Sequence, residues 1–274
     1  MSRTVVALPR CAHKFGACAV LAIALGACTT ASEGPYWGAD ATATPGWDRI
    51  ADAALKAALD PFTWAPAVAA AALQIEDLDD EIADWANDET PLFGSRETAA
   101  DVSDGLQAAS VAVYVGTGLA APAPGDDWLA TKAKGFAVGA AALAATFGTT
   151  SLLKETTTRD RPLNQDDDSF PSGHASLASV SARMTHETLQ YYDLPRGARI
   201  AADAGLAGLA LTTGWARVEA GKHHPADVLA GAALGNFIAV FATEAFLRRD
   251  FGETVALRAR SSGDGIALQV SVAY

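Results

Sequence analysis

The chain has 274 residues, half of them hydrophobic, and a formal net charge of −12. This length and composition suit one large domain, or two small ones, with a full apolar core. Nucleic-acid binding depends on surplus lysine and arginine, which the chain lacks, so a nucleic-acid partner is not expected. Any basic site must therefore be local.

The first 28 residues have the pattern of an export signal. Three basic residues precede the apolar run CAVLAIALGA, and the tetrad Leu-Gly-Ala-Cys ends at Cys28. The tetrad resembles a bacterial lipobox, whose cysteine is lipidated and becomes the first residue of the mature protein. We expect a signal peptide over 1–27, a lipid anchor on Cys28 and a polar tether over 28–46. An ordinary secretory signal and a short membrane anchor are the alternatives.

Export would place the mature domain in the periplasm, attached to a membrane. The outer membrane is favoured over the inner, because Thr29 rather than an acidic residue follows the lipobox cysteine. The other cysteines, Cys11 and Cys18, lie within the signal. The mature domain therefore has no thiol for a disulfide or a metal. The sequence does not indicate an oligomeric state.

Beyond the tether, apolar residues recur at helical spacing. No charge occurs over 135–153, which is long enough to span a bilayer. Its Ala, Gly and Thr content favours a soluble core over a membrane span. The pattern predicts an all-α bundle over 47–250, with helices over 48–60, 63–87, 105–121, 128–155, 197–216 and 225–247, and another that starts near Ser172.

The C-terminal segment changes to a period of two. TVALRAR (254–260) and IALQVSVAY (266–274) flank the turn SSGDG, which predicts a β-hairpin over 251–274. An isolated hairpin is marginal in water, so we expect this one to pack on the bundle or on a partner.

Three segments contain residue types that occur in catalytic and anion-binding sites. The first carries cations, and the second begins a helix. KETTTRDRP (154–162) contains Lys154, Arg159 and Arg161, and the spacing of Lys154 and Arg161 can put both on one helical face. FPSGHASL (170–177) opens a helix, whose first N–H groups attract anions. Its first turn contains Ser172, Gly173 and His174.

The third segment, ARVEAGKHHPAD (216–227), places two histidines before the last helix. Pro225 favours the first turn of that helix, so Asp227 lies inside the turn. Its carboxylate can accept a hydrogen bond from the ring N–H of His223, leaving the other ring nitrogen free to attack. His224 has no carboxylate at matching spacing. We predict His223 as the nucleophile and His224 as a wall or supporting residue.

Together the three segments resemble the signature of the type 2 phosphatidic acid phosphatase superfamily, which includes bacterial acid phosphatases and vanadium-dependent haloperoxidases. The pattern is K-x6-R-P, P-S-G-H and S-R-x5-H-x3-D. The matching residues are Lys154 with Arg161 and Pro162, Pro171 to His174, and Arg217 with His223 and Asp227. The serine before the last arginine is Ala216 here. Losing one neutral hydrogen bond costs about 1 kcal/mol, so we expect tuning rather than inactivation.

The resemblance implies hydrolysis of phosphate monoesters without a metal or another cofactor. By this resemblance His223 forms a phosphohistidine, His174 protonates the leaving alkoxide and Asp227 orients His223. The phosphate-binding groups are Lys154, Arg161, Ser172, Gly173 and Arg217. The acidic run over 166–168 is interpreted as a solvated loop rather than a metal site.

The substrate and two other function classes stay open at this point. A phosphomonoester of broad kind is preferred, and a lipid phosphate or undecaprenyl diphosphate is the alternative. A vanadium haloperoxidase would hold vanadate in the same cradle, with His223 as its ligand. A non-catalytic envelope lipoprotein would use the bundle and hairpin as an interaction module.

Overall fold

A computed structural model describes residues 36–75, 77–163 and 166–247, together with the backbone of 255–262 and 265–272. The expected signal peptide, Cys28 and the first part of the expected tether lie outside the described residues.

The described part of the chain contains eight α-helices, which confirms the all-α prediction. They are α1 (Trp47–Leu59), α2 (Pro61–Leu73), α3 (Leu78–Glu89), α4 (Arg96–Ala120), α5 (Trp128–Thr157), α6 (Gly173–Leu189), α7 (Arg196–Glu219) and α8 (Pro225–Ala242). A π-helical turn, Thr243–Leu247, continues α8. As the alternating pattern predicted, strands β1 (Val255–Ser262) and β2 (Gly265–Val272) pair antiparallel.

Three predicted boundaries were wrong. The helix predicted over 63–87 is two helices, because Asp77 adopts a left-handed conformation with φ 60° and separates α2 from α3. Helix α4 starts at Arg96, well before 105, and the Ser95 hydroxyl caps it by accepting from the Thr98 amide. Helix α5 ends at Thr157, so Arg161 lies in the following loop and does not share a helical face with Lys154.

The expected tether is partly built into the domain. Trp37 is 1% exposed and makes edge-on contacts with Tyr114 of α4 and Phe136 of α5. The Thr42 amide donates to the carbonyl of Phe246 at 2.9 Å. The folded domain therefore begins before residue 47. The stretch was predicted as a tether because most of its residues are polar or small, although it contains the buried Trp37.

Helix α6 lies at the centre of the bundle and packs against α4, α5, α7 and α8. Its contact with α8 is close because glycines face it. A Cβ added at Gly231 would lie 2.5 Å from the Ser172 carbonyl oxygen, and one at Gly235 would lie 2.2 Å from that of Ser176. This close approach brings the first turns of α6 and α8 together.

Two helices among the described residues are long and apolar enough to cross a membrane by length and composition, each with a mean hydropathy of 1.6. In Pro225–Leu247, 61% of the apolar window is buried, which is typical of a core helix. In α5 only 22% of the window is buried, and Phe147 and Leu152 are exposed. The chain therefore carries one apolar helix that the bundle leaves largely uncovered.

Candidate active site

The three segments singled out in the sequence meet at one end of the bundle. Lys154 lies near the end of α5, Ser172 precedes α6, Arg217 lies near the end of α7, and Asp227 lies in the first turn of α8. The Ser172 amide donates to the Asp227 carbonyl at 2.9 Å, which joins the second segment to the third.

His223 is buried, 2% exposed, immediately before α8. Its Nδ1 donates to the carbonyl oxygen of Ser169 at 2.7 Å. Since a carbonyl only accepts, this bond fixes the tautomer with the proton on Nδ1 and the lone pair on Nε2. Burial, followed by the charges of Arg217 and Lys154, lowers the pKa of His223 well below its usual value, although Asp227 opposes the shift. The imidazole is therefore neutral at neutral pH.

The predicted hydrogen bond from His223 to Asp227 was wrong. The nearest approach, Nδ1 to Oδ2, is 4.0 Å. Oδ2 instead accepts from the Ser169 hydroxyl at 2.6 Å and from the His224 amide at 2.8 Å. The second bond is a helix cap, which turns the carboxylate towards the start of α8. Asp227 is therefore linked to His223 indirectly, through Ser169.

Arg159 completes the surroundings of Asp227. Its two terminal nitrogens lie 2.7 Å from Oδ1 of Asp227 and 2.7 Å from Oδ2 of Asp79. Asp79 also accepts from the Ala226 amide at 2.7 Å. Burial alone would raise the pKa of Asp227, but hydrogen bonds from His224 and Ser169 and the charge of Arg159 lower it to about 2. Asp227 is thus an ionised, fully buried carboxylate.

The sequence pattern indicates Arg159 only as one cation of the first segment, and it does not indicate Ser169 or Asp79. Ser169 directly precedes the second segment, and its contribution includes a backbone carbonyl, which any residue provides. Asp79 lies in the acidic helix α3, whose pattern is typical of a solvated face. Its tertiary contacts with Arg159 and with the Ala226 amide distinguish it from its neighbours.

The expectation that His224 has no carboxylate partner was also wrong. Its Nδ1 lies 3.2 Å from Oδ2 of Asp227, and its Nε2 lies 3.2 Å from Oδ1 of Asp80. Both ring nitrogens therefore have a carboxylate neighbour within the protein. His224 also borders a polar cavity of about 460 Å³ that Arg159, Arg161, Asp80, Asp84, Asp160 and Pro162 line with it.

The three predicted phosphate-binding cations lie near one another and near the histidines. Lys154 contacts the carbonyl oxygen of Asp168. Nε of Arg161 lies 2.7 Å from Oδ1 of Asp166. Burial, then the charge of Arg161, lowers the pKa of Lys154. Burial lowers the pKa of Arg217 to about 10. Buried cations that repel one another are typical of a site that binds a multiply charged anion.

The loop over 166–168 is exposed to solvent, as the sequence predicted, and it also contacts these cations. Asp166 pairs with Arg161 and also accepts from the Asp168 amide at 3.1 Å. The interpretation of this run as a solvated loop was therefore incomplete. Within the described ranges, no group of three or more His, Cys, Asp and Glu side chains is arranged to hold a metal ion.

The first turn of α6 provides the remaining predicted groups. The Ser172 hydroxyl is buried and accepts from the Ala175 amide at 3.4 Å, which makes Ser172 the cap of the helix. Gly173 is the first helical residue, and His174 follows it. Nε2 of His174 donates to Oδ1 of Asp104, on α4, at 2.8 Å. No motif in the sequence marks Asp104, so it was not predicted as a site residue.

Comparison with known proteins gives a family match over part of the chain. A model of the PAP2 superfamily matches residues 135–251, a range that contains all three segments. The match to this family supports phosphatase activity on phosphate esters. Searches of curated proteins and of solved structures gave no match. Residues 135–251 are therefore similar to the PAP2, or type 2 phosphatidic acid phosphatase, superfamily.

Proposed function

We propose that the chain hydrolyses phosphate monoesters, without a metal ion, through a phosphohistidine formed on Nε2 of His223. The observation that carries the proposal is the state of that ring. Its Nδ1 is committed to the Ser169 carbonyl, its pKa is lowered, and Nε2 accepts no hydrogen bond from any residue that the structure describes. A neutral imidazole with a free lone pair is the form that attacks phosphorus.

The two neighbouring histidines differ in a way that supports His223 over His224. Both nitrogens of His224 are within 3.2 Å of carboxylate oxygens. Both nitrogens of His224 are thus occupied by neighbours within the protein, whereas Nε2 of His223 is not occupied by any residue that the structure describes. His224 fits the role of a wall that holds Asp227 and Asp80.

In the proposed reaction, the Nε2 lone pair of His223 forms a bond to phosphorus while the bond from phosphorus to the ester oxygen breaks. The electron pair of that bond goes to the departing oxygen, which takes a proton from His174. Lys154, Arg161 and Arg217 neutralise the phosphoryl oxygens, and the first N–H groups of α6 beside Gly173 add donors. Water activated by His174 then releases phosphate and restores His223.

Lipid phosphates are the second candidate substrate class, because of the uncovered face of α5. The exposed Phe147 lies seven residues, about two turns, before Lys154 on the same face of that helix. A substrate with an apolar chain would meet an apolar surface next to the cation. With the proposed lipid anchor on Cys28, the domain would act at a periplasmic membrane surface, with the outer membrane favoured.

The test is phosphate release by the purified chain from residue 29 onward, with EDTA present. The substrates are p-nitrophenyl phosphate and a short-chain phosphatidic acid, and the variants are His223→Ala and His224→Ala. We expect turnover that His223→Ala abolishes and His224→Ala retains. Preference between the two substrates separates the two classes. No turnover with either, or vanadate-dependent bromination, would favour the non-catalytic or haloperoxidase alternatives.

A further inference from the structure

Asp104 contacts residues of two motif segments although it lies outside the family region. It is on α4, and its side chain is 66% exposed. Its Oδ1 accepts from Nε2 of His174 at 2.8 Å and lies 3.7 Å from a terminal nitrogen of Arg217. An exposed carboxylate with two such neighbours is not needed for the core, so its contacts suggest a role in the reaction.

We propose that Asp104 is a positioning residue for the general acid His174, and this proposal rests on the proposed function. Asp104 holds the imidazole by Nε2, so that Nδ1 presents the proton to the departing ester oxygen. Among the described residues, Nδ1 of His174 has no hydrogen-bond partner. A protonated imidazole has two donors, and here one is fixed while the other is available to a substrate.

The proton balance follows from this arrangement. As the bond from phosphorus to the ester oxygen breaks, its electron pair stays on that oxygen and the proton on Nδ1 moves to it. His174 becomes neutral and keeps its Nε2 proton, which still donates to Asp104. In the second step the free Nδ1 lone pair takes a proton from the attacking water. Asp104 thus holds one tautomer through both steps.

Electrostatics around His174 support the same role. Burial lowers its pKa most, and the charges of Arg217 on α7 and Lys154 on α5 lower it further. Asp104 on α4 opposes them through its hydrogen bond and its charge. Without Asp104, the remaining influences all favour the neutral ring. A smaller fraction of His174 would then carry the proton that the leaving group needs.

Because Asp104 also lies near Arg217, its role in positioning His174 can be distinguished from a role in phosphate binding. Asp104 competes with a phosphate for that guanidinium, so its removal does not weaken phosphate binding. A positioning residue for the acid therefore affects kcat and the pH profile, and it leaves the inhibition constant of inorganic phosphate unchanged or lowers it.

The experiment compares Asp104→Asn with Asp101→Asn, an exposed aspartate one turn earlier on the same helix. The substrates are p-nitrophenyl phosphate, whose leaving group needs little protonation, and glycerol phosphate, whose alkoxide needs it. For Asp104→Asn we expect kcat with glycerol phosphate to fall about ten-fold or more. The kcat/KM of Asp104→Asn with p-nitrophenyl phosphate, which reports only the cleavage step, stays near that of the original chain. The alkaline limb of kcat/KM moves to lower pH, and Asp101→Asn changes none of these.

A second arm adds Asp104→Asn to His174→Ala, where we expect no further loss, because the two residues act as one unit. Equal losses with both substrates and an unshifted pH profile would overturn the inference, as would a further loss in the double variant. Thermal melting followed by circular dichroism checks that each variant is folded. If the original chain releases no phosphate from either ester, the proposed function fails; if it turns over and Asp104→Asn matches it throughout, only this inference fails.

Discussion

Replacing Arg159 with alanine tests the buried ion network that supports the site. The guanidinium bridges Asp227, which is fully buried, and Asp79, whose side chain is 4% exposed, at 2.7 Å each. Removing the cation leaves two buried carboxylates facing each other without their shared partner. Breaking a buried ion pair by removing one partner costs about 3–5 kcal/mol.

The structure places the expected loss at the lower end of that range. Asp227 keeps its bonds from the Ser169 hydroxyl and the His224 amide. Asp79 keeps those from the Gln74 amide group and the Ala226 amide. We therefore expect Arg159→Ala to lower the free energy of unfolding by about 3 kcal/mol at pH 7.

Urea unfolding followed by circular dichroism measures this loss. The matched control is Asp88→Ala, which breaks the exposed pair with Arg96 at 3.2 Å and should cost about 0–1 kcal/mol. If Arg159→Ala also cost less than about 1 kcal/mol, the network would behave as a surface pair, and the reasoning about its burial would be refuted.

Four further predictions follow from other contacts. The pKa of Asp227 is lowered from 3.8 to about 2, so its contribution to the stability of the fold is complete above pH 3.8 and is lost as the pH falls through about 2. Acid unfolding of Arg159→Ala, followed by circular dichroism, should therefore begin at a higher pH than that of the original chain. An unchanged midpoint would contradict this prediction. Lys132, buried, donates to the Gly118, Leu119 and Ala121 carbonyls at 3.1, 2.5 and 2.7 Å, so Lys132→Met should lower the free energy of unfolding by about 2 kcal/mol or more in urea. Gly235→Ala should destabilise by at least about 1–3 kcal/mol because its Cβ would lie 2.2 Å from backbone, whereas Gly208→Ala, with nothing within 4 Å, should gain up to about 1 kcal/mol. Ala216→Ser should change kcat/KM by less than about ten-fold, and a larger change would show that the serine of the family pattern is more than a tuning group.

The residues of the three motif segments were predictable from the sequence, because their type and spacing match a known pattern. The helix starts near Ser172 and Pro225 lie where predicted, and the three segments come together as their resemblance implied. Helical periodicity likewise identified most of the bundle, because it reports which side of a helix is buried.

The contacts of the site were harder to predict, because they depend on backbone groups and on distant helices. His223 binds a backbone carbonyl, which leaves no trace in residue type. Asp79 and Asp104 lie on helices far from the motifs in sequence, and nothing local distinguishes them from other surface carboxylates. Asp227 was assigned to the correct turn but to the wrong histidine partner, since spacing alone does not decide between a helix cap and a side-chain bond.

The break between α2 and α3 has a similar explanation. Apolar and charged residues continue at helical spacing through this region, so the pattern predicted one helix. The left-handed Asp77, with φ 60°, ends that continuity. The turn carries no glycine or proline to announce it, and its position depends on how α3 packs in the fold.

The central claim is that Nε2 of His223 becomes phosphorylated. The most direct measurement detects the phosphorylated residue. The chain is mixed with ³²P-labelled substrate in EDTA and quenched rapidly without acid, and the peptide that contains His223 and His224 is analysed by mass spectrometry. We predict an alkali-stable phosphohistidine at His223, present in His224→Ala and absent in His223→Ala. Label on His224, or turnover in His223→Ala at the original rate, would contradict the account.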